Sequence, residues 1–201
     1  MKSPTRTRMP RAQREQQMLQ VAEAVFAESG YQATSMDDIA ARVGVTKPML
    51  YEYFGSKDGL LRACLARARQ QLHDQTVDAV RGGGEPRDLM ARAVRAFFDF
   101  VDDHAAAWAV LQAESMVTTG PGAREIEEIR RQQSDYTQAL LAGLPGGSTL
   151  DPLELAARAE MVIGACERVA VWRTAQAAQA VGADRATELV MDVLWPGLST
   201  T

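Results

Sequence analysis

Between Thr46 and Lys57 the chain sets a hydroxyl, two ammonium groups and two phenols in close succession: Thr46, Lys47, Tyr51, Tyr53 and Lys57. These are groups that seek phosphate and base edges. A threonine at a helix N-terminus adds its hydroxyl to the free main-chain amides there, an arrangement that suits a phosphate. Thr46, Tyr51 and Lys57 are accordingly read as phosphate contacts, which fix register on a duplex. Lys47, Pro48, Met49 and Tyr53 are read as contacts to base edges, with Lys47 suited to guanine acceptors and Met49 or Pro48 to a thymine methyl. Ser35, at the start of the preceding helix, completes the set.

Three short helix starts and two sharp turns are needed to present these groups, and residues 34–60 encode them. Ser35 can cap a helix that begins at Met36, with Asp37 and Asp38 in its positively polarised first turn, and Gly44 can end it. Only Val45 then separates Gly44 from Thr46, the next capping residue, and Lys47-Pro48 places a proline where first-turn amides have no partner to lose. This third helix is expected to run to about Tyr53. Ser56 is the cap of a fourth, with Asp58 in its first turn and Leu60, Leu61, Cys64, Leu65, Ala68 and Leu72 as an apolar stripe to about Val80. Ile39, Ala40, Val43, Val45 and Leu50 supply the small core between the second and third helices. Before them, Met18, Ala22, Val25 and Phe26 repeat at helical spacing over 11–29, and Gly30 falls where a left-handed cap would end the first helix. A helix pair joined by so tight a turn places its second member where first-turn side chains can enter a major groove.

The rest of the chain is read as helical too. Gly82-Gly83-Gly84-Glu85-Pro86 is its clearest breaker, and helical patterns follow over 87–103, 106–118, 121–143, 150–180 and 184–195. No alternation of strand type competes with them, so the fold class is all-α, with about nine helices. The reading divides the chain into a flexible basic arm at 1–10, a three-helix domain at 11–60 and a larger helical bundle at 61–201. Because the fourth helix should pack on both sides, that second boundary is blurred over 60–86.

The 201 residues carry a formal charge of -4, which does not suit a nucleic-acid binder until its distribution is considered. Lys2, Arg6, Arg8, Arg11 and Arg14 stand in residues 1–14 without an acid, while carboxylates are in excess after residue 60. Arg6, Arg8 and Arg11 can follow phosphates or enter a neighbouring minor groove. Cys64 and Cys166 lie far apart in helical patterns and point to free, buried thiols in a reducing compartment. With no signal-peptide pattern and no stretch of about 18 apolar residues, a cytoplasmic location without membrane contact is expected.

On these residues the chain resembles the TetR family of transcriptional regulators. Thr34-Ser35, Ile39-Ala40, Gly44-Val45-Thr46, Leu50-Tyr51, Tyr53-Phe54, Ser56-Lys57 and Leu60 fall where that family's N-terminal motif has similar residues. Val43 and Met49 depart from it, and Met49 leaves the operator preference open. The resemblance implies a dimer that reads a palindromic double-stranded DNA operator, with repression as the default action. It also implies a C-terminal bundle that binds a small-molecule effector and dimerises through its last two helices. No cofactor and no metal is implied.

The back half permits this independently. Leu153, Leu155, Ala156, Ala159, Met161, Val162, Ile163, Ala165, Cys166, Val169 and Ala170 leave 150–180 almost without a polar face, and a helix apolar all round is buried on more than one side. Gly164 and the alanines allow close approach of another helix, and Ala186, Leu189, Val190, Val193 and Leu194 give 184–195 a second face. Phe97, Trp108, Met116, Tyr136, Met161 and Trp172 are the candidate walls of an effector site, with His104, Gln112, Glu114, Glu160, Glu167 and Arg173 as candidate polar anchors. Two alternatives stand beside this. A DNA-binding module without an effector would have a filled core in place of a cavity. An all-α enzyme would need a reactive constellation that Cys64, Cys166, His73 and His104 do not form, so the chain is read as not an enzyme.

Overall fold

The computed structural model of the chain describes residues 9–112, 123–144, 146–175 and 181–199. Among them are nine α-helices: α1 (Arg11–Ala33), α2 (Met36–Val43), α3 (Lys47–Phe54), α4 (Lys57–Val80), α5 (Pro86–Asp103), α6 (Ala105–Gln112), α7 (Ala123–Ala142), α8 (Pro152–Ala175) and α9 (Ala183–Leu198). A single 3-10 turn, Gly147–Thr149, separates α7 from α8. Arg6, Arg8, Met116 and Glu114, with the expected helical residues 113–118 and 176–180, lie outside the described residues. No helix among the described residues is long and apolar enough to cross a membrane.

The front of the chain is set by its caps. Ser35 accepts from the Asp38 amide at 3.2 Å, and the Asp38 carboxylate accepts in return from the Ser35 amide at 2.9 Å, so both ends of the first turn of α2 are tied. Gly44 ends α2 in the left-handed region, φ 78° and ψ 36°, which lets the chain reverse into α3 within Val45 and Thr46. Ser56 caps α4 by accepting from the Gly59 amide at 2.9 Å. Here the turn is so tight that a Cβ on Gly59 would lie 2.0 Å from the Phe54 carbonyl oxygen, so only glycine fits.

Two helix ends differ from the sequence reading. Gly30 has the positive φ expected of a cap, 75°, but its ψ of 157° is extended, and one more helical turn, Tyr31–Ala33, follows it. Thr34 holds this kink by donating from its hydroxyl to the Gly30 carbonyl at 2.8 Å. At the other terminus α9 continues through Pro196 to Leu198, because a proline in a last turn disturbs only the final hydrogen bonds.

One core runs the length of the molecule. Met18, Ile39, Leu50, Leu60, Leu61 and Cys64 are fully buried at the front, and Phe98, Phe100 and Val110 continue the same cluster behind. The helix common to both is α4, which packs on α1, α3, α5, α6 and α7 and crosses residue 60 without a break. Behind it α5 packs on α9, α8 and α6, and α7 on α8.

Candidate nucleic-acid interface and cavity

In α3, Leu50 points into the core while Thr46, Lys47, Pro48 and Tyr51 are exposed together on the opposite side. Thr46 occupies the N-cap position in extended backbone, but its hydroxyl makes no capping bond. Lys47 pairs with Asp37 across the turn at 2.7 Å, which raises the Lys47 ammonium above its ordinary pKa and joins the first turns of α2 and α3. Both partners are exposed, so the pair holds Lys47 weakly and another acceptor can replace Asp37. Met49 is half-buried, with an Arg14 nitrogen 4.0 Å from its sulfur, and the Arg11 guanidinium stacks over the Tyr53 ring at 4.8 Å. Arg11 and Arg14 thereby enter the same surface from α1.

Ser35 and Lys57 stand differently. The Ser35 hydroxyl is engaged by Asp38 in the cap of α2, and its hydrogen bonds hold the Asp38 carboxyl below its usual range. Lys57 donates to the carbonyls of Tyr31 and Thr34, both at 2.9 Å, and lies 4.3 Å from the centre of the Tyr31 ring. Its ammonium therefore ties the start of α4 to the end of α1, a role that spacing alone does not reveal. Further along, the buried Glu23 of α1 pairs with Arg67 of α4, and Arg67 also donates to Gln16 at 3.1 Å. Burial raises the Glu23 carboxyl above its usual range, opposed by the hydrogen bond and charge of Arg67. Lys57 and Arg67 thus fasten α1 to α4 at two points.

Behind the front unit, α4, α5, α7 and α8 border a cavity of ≈ 420 Å³ that opens to solvent on one side. Met90, Val94, Phe97, Leu140, Val162 and Ile163 give it apolar walls, and Arg69, Gln70, His73, Thr76, Gln132, Gln133, Tyr136 and Thr137 a polar side. Phe97 and Tyr136 were among the candidate walls. Trp108 is buried and meets Phe97 edge-on at 5.6 Å without lining the cavity. Met161 and Trp172 are placed elsewhere: they are 65% and 42% exposed on the outer side of α8, because the helical turn that sends Val162 and Cys166 inward sends them out. Of the candidate anchors, Glu167 lies 3.9 Å from Arg69, and Glu160 accepts from Ser134 at 2.8 Å. His104 and Gln112 are exposed on α6 and the turn before it.

Arg173 is a clamp: its nitrogens reach Asp102 at 2.7 Å, the Phe98 carbonyl at 3.0 Å and the Val181 carbonyl at 3.3 Å, fixing α8 against the end of α5. Sequence reading missed the contribution of α4 to the cavity. Ala66, Arg69, His73 and Thr76 recur at helical spacing, but a polar stripe of that kind reads as a solvated face. Burial pushes the Cys166 thiol up to about 12 and raises the Tyr136 phenol above its ordinary value.

Two family models match the chain. Residues 18–64 match the model described as bacterial regulatory proteins, tetR family, and residues 86–197 the one described as tetracyclin repressor-like, C-terminal domain. Among curated relatives, the HTH-type transcriptional activator FasR of Mycolicibacterium smegmatis is 37% identical over 60% of this chain and 55% of its own length. The HTH-type transcriptional regulator BetI of Rhizobium meliloti is 29% identical over 65% of this chain and 62% of its own length. The chain therefore spans less than two thirds of either. Among solved structures, a TetR-like transcriptional regulator from a Rhodococcus species is 34% identical, with a TM-score of 0.74 over 96% of this chain and 100% of that one. FadR from Bacillus subtilis, solved in complex with stearoyl-CoA, shares the fold at 18% identity, with a TM-score of 0.78 over 89% and 96% of the two chains.

Proposed function

Because the chain belongs to the TetR family of bacterial regulatory proteins, a family of transcriptional regulators and not enzymes, we propose that it is an effector-released repressor. It binds a palindromic operator as a homodimer and lets go when a small molecule fills the cavity. The observation that carries this reading is the double use of α4. Its first turn packs on α3 and holds the end of α1 through Lys57, its next turns hold α1 through Arg67, and the stretch from Ala66 to Thr76 lines the cavity. A ligand that favours one position of α4 therefore favours one position of Thr46, Lys47, Pro48 and Tyr51, and it does so only through its differential affinity for the two positions. The presence of a cavity supports an effector-responsive body over one with a filled core.

A two-fold partner has a surface ready. Leu153, Ala157, Met161, Gly164, Arg168 and Trp172 are all exposed and follow one another along α8 at spacings of three and four, with Val193 of α9 77% exposed. A stripe of that length, apolar apart from Arg168, fits a four-helix interface between two copies. Pairing there gives two reading surfaces, which operator recognition needs at a separation of about 34–36 Å. FadR, a fold relative solved in complex with stearoyl-CoA, holds a molecule with an apolar chain and a polar part, which agrees with a cavity of mixed lining.

The test is a charge placed in the stripe. Met161→Glu is expected to yield monomers by sedimentation and to weaken operator binding at least tenfold, with helix content unchanged. Dimers of Met161→Glu that bind the operator normally would remove this interface from the account.

A further inference from the structure

We propose that Asp37 and Lys47 read one G·C base pair in each half-site together, Lys47 donating to guanine and Asp37 accepting from the cytosine amino group. This rests on the reading of α3 as the helix that enters the major groove, and it adds Asp37 as a residue that determines specificity. Lys47 is the first residue of α3 and Asp37 the second of α2, so two helix starts bring ammonium and carboxylate to 2.7 Å from each other. Their side chains are 44% and 67% exposed. Lys47 belongs to the exposed row with Thr46, Pro48 and Tyr51, so a base edge that reaches its ammonium meets the Asp37 carboxylate as well. The neighbouring acid stands differently. Asp38 accepts from the amide and the hydroxyl of Ser35 and is spent on the cap of α2, whereas Asp37 pairs across the turn with Lys47.

A carboxylate on a surface that meets DNA is repelled by the phosphates, and this cost is offset only where it finds a donor. In the major groove the donors are the amino groups of cytosine and adenine. An ammonium has three N–H donors and no acceptor, so Lys47 can keep its bond to Asp37 while it donates to a base. The spacing then matches one base pair. Guanine O6 and cytosine N4 are joined by an N–H···O hydrogen bond and so lie about 2.9 Å apart at the groove edge. Lys47 Nζ and Asp37 Oδ2, a donor beside an acceptor at 2.7 Å, complement that acceptor and donor one to one. Guanine adds N7 as a second acceptor for the ammonium. An A·T pair presents the order once only, at thymine O4 and adenine N6, with the thymine methyl crowding the ammonium. G·C is therefore the pair that fits.

The test uses the 201-residue chain and an operator selected from a random duplex pool. Wild type and Asp37→Ala are titrated with the operator unmodified and with one base replaced at each G·C pair in turn. N4-methylcytosine blocks the amino hydrogen that faces the groove, and 7-deazaguanine removes N7. Asp37 is exposed and stands outside the Ser35 and Asp38 cap, so the variant keeps the fold. At one G·C pair per half-site, N4-methylcytosine should weaken wild type by about fivefold or more, the worth of one charge-assisted hydrogen bond, and leave Asp37→Ala unchanged. At that pair 7-deazaguanine should weaken both proteins alike. Wild type indifferent to N4-methylcytosine at every G·C pair would overturn the inference, and so would Asp37→Ala that keeps the wild-type sensitivity. Loss of both sensitivities in Asp37→Ala would make Asp37 a holder of Lys47 and not a reader of cytosine, which also overturns it. A pool that enriches no site would overturn it together with the operator reading.

Discussion

Around Leu50 the front of the molecule has no room to spare, since Met18, Ile39, Leu50, Leu60 and Leu61 are all fully buried, whereas α4, α5, α7 and α8 leave ≈ 420 Å³ open between them. In the front unit α2 and α3 are short, α2 capped at Ser35 and turned into α3 at Gly44, with Ser56 capping α4 directly after α3, so their relative positions are fixed by local bonds. The helices around the cavity are long, and distant ties such as Arg173 to Asp102 hold them. A rigid reader joined to a compliant body through one shared helix is an arrangement in which ligand energy is spent on moving the reader and not on deforming it.

The largest effect expected on that contrast comes from Leu50→Ala. Truncating a fully buried leucine costs about 2–5 kcal/mol, and the front unit has no slack to absorb it. Operator binding should disappear in a mobility-shift titration while an apolar dye still enters the body. Loss of dye uptake too would show front and body to be one cooperative unit. Arg173→Met is the counterpart in the body. It should lower stability to urea by about 2–4 kcal/mol, the cost of charged hydrogen bonds lost with Asp102 left behind, while the folded fraction binds operator normally.

Lys57→Met sits at the joint. Losing both carbonyl contacts is expected to cost about 1–3 kcal/mol, with the salt slope of operator binding unchanged because the ammonium serves the fold. A slope lower by about one would place Lys57 on a phosphate after all. The smallest effect concerns pH. The folded carboxyl of Glu23 lies above its ordinary value of 4.5, so the folded state holds its proton longer than the unfolded chain. The stability belonging to the protonated form is complete below 4.5 and is lost as pH rises through the folded value. In Glu23→Gln that fall should vanish from urea titrations run at successive pH values, and its persistence would assign it to another group.

Front and body also differ in how much of them the sequence discloses. Helix ends at Ser35, Gly44 and Ser56 are legible because a cap or a left-handed turn is a local demand that few residue types meet. The exposed row Thr46, Lys47, Pro48 and Tyr51 follows from one short helix with Leu50 buried. What local reading cannot show is which partner a charge takes: Lys57 and Lys47 close bonds that only the folded geometry brings together. The cavity draws on residues from Ala66 to Cys166, four helices whose mutual rotation is set by packing. Periodicity places Met161 and Trp172 on the same helix as Val162 and Cys166 but does not say which side faces in. Size alone therefore favours large apolar residues as walls, and the polar stripe of α4 reads as a solvated face.

Selection of bound duplexes from a random pool, using the whole 201-residue chain at moderate salt, tests the central claim most directly. The account predicts enrichment of a two-fold symmetric site whose half-sites lie one helical turn apart, or a multiple of it, and whose binding fails with Leu50→Ala. A pool that stays random after repeated rounds would contradict it.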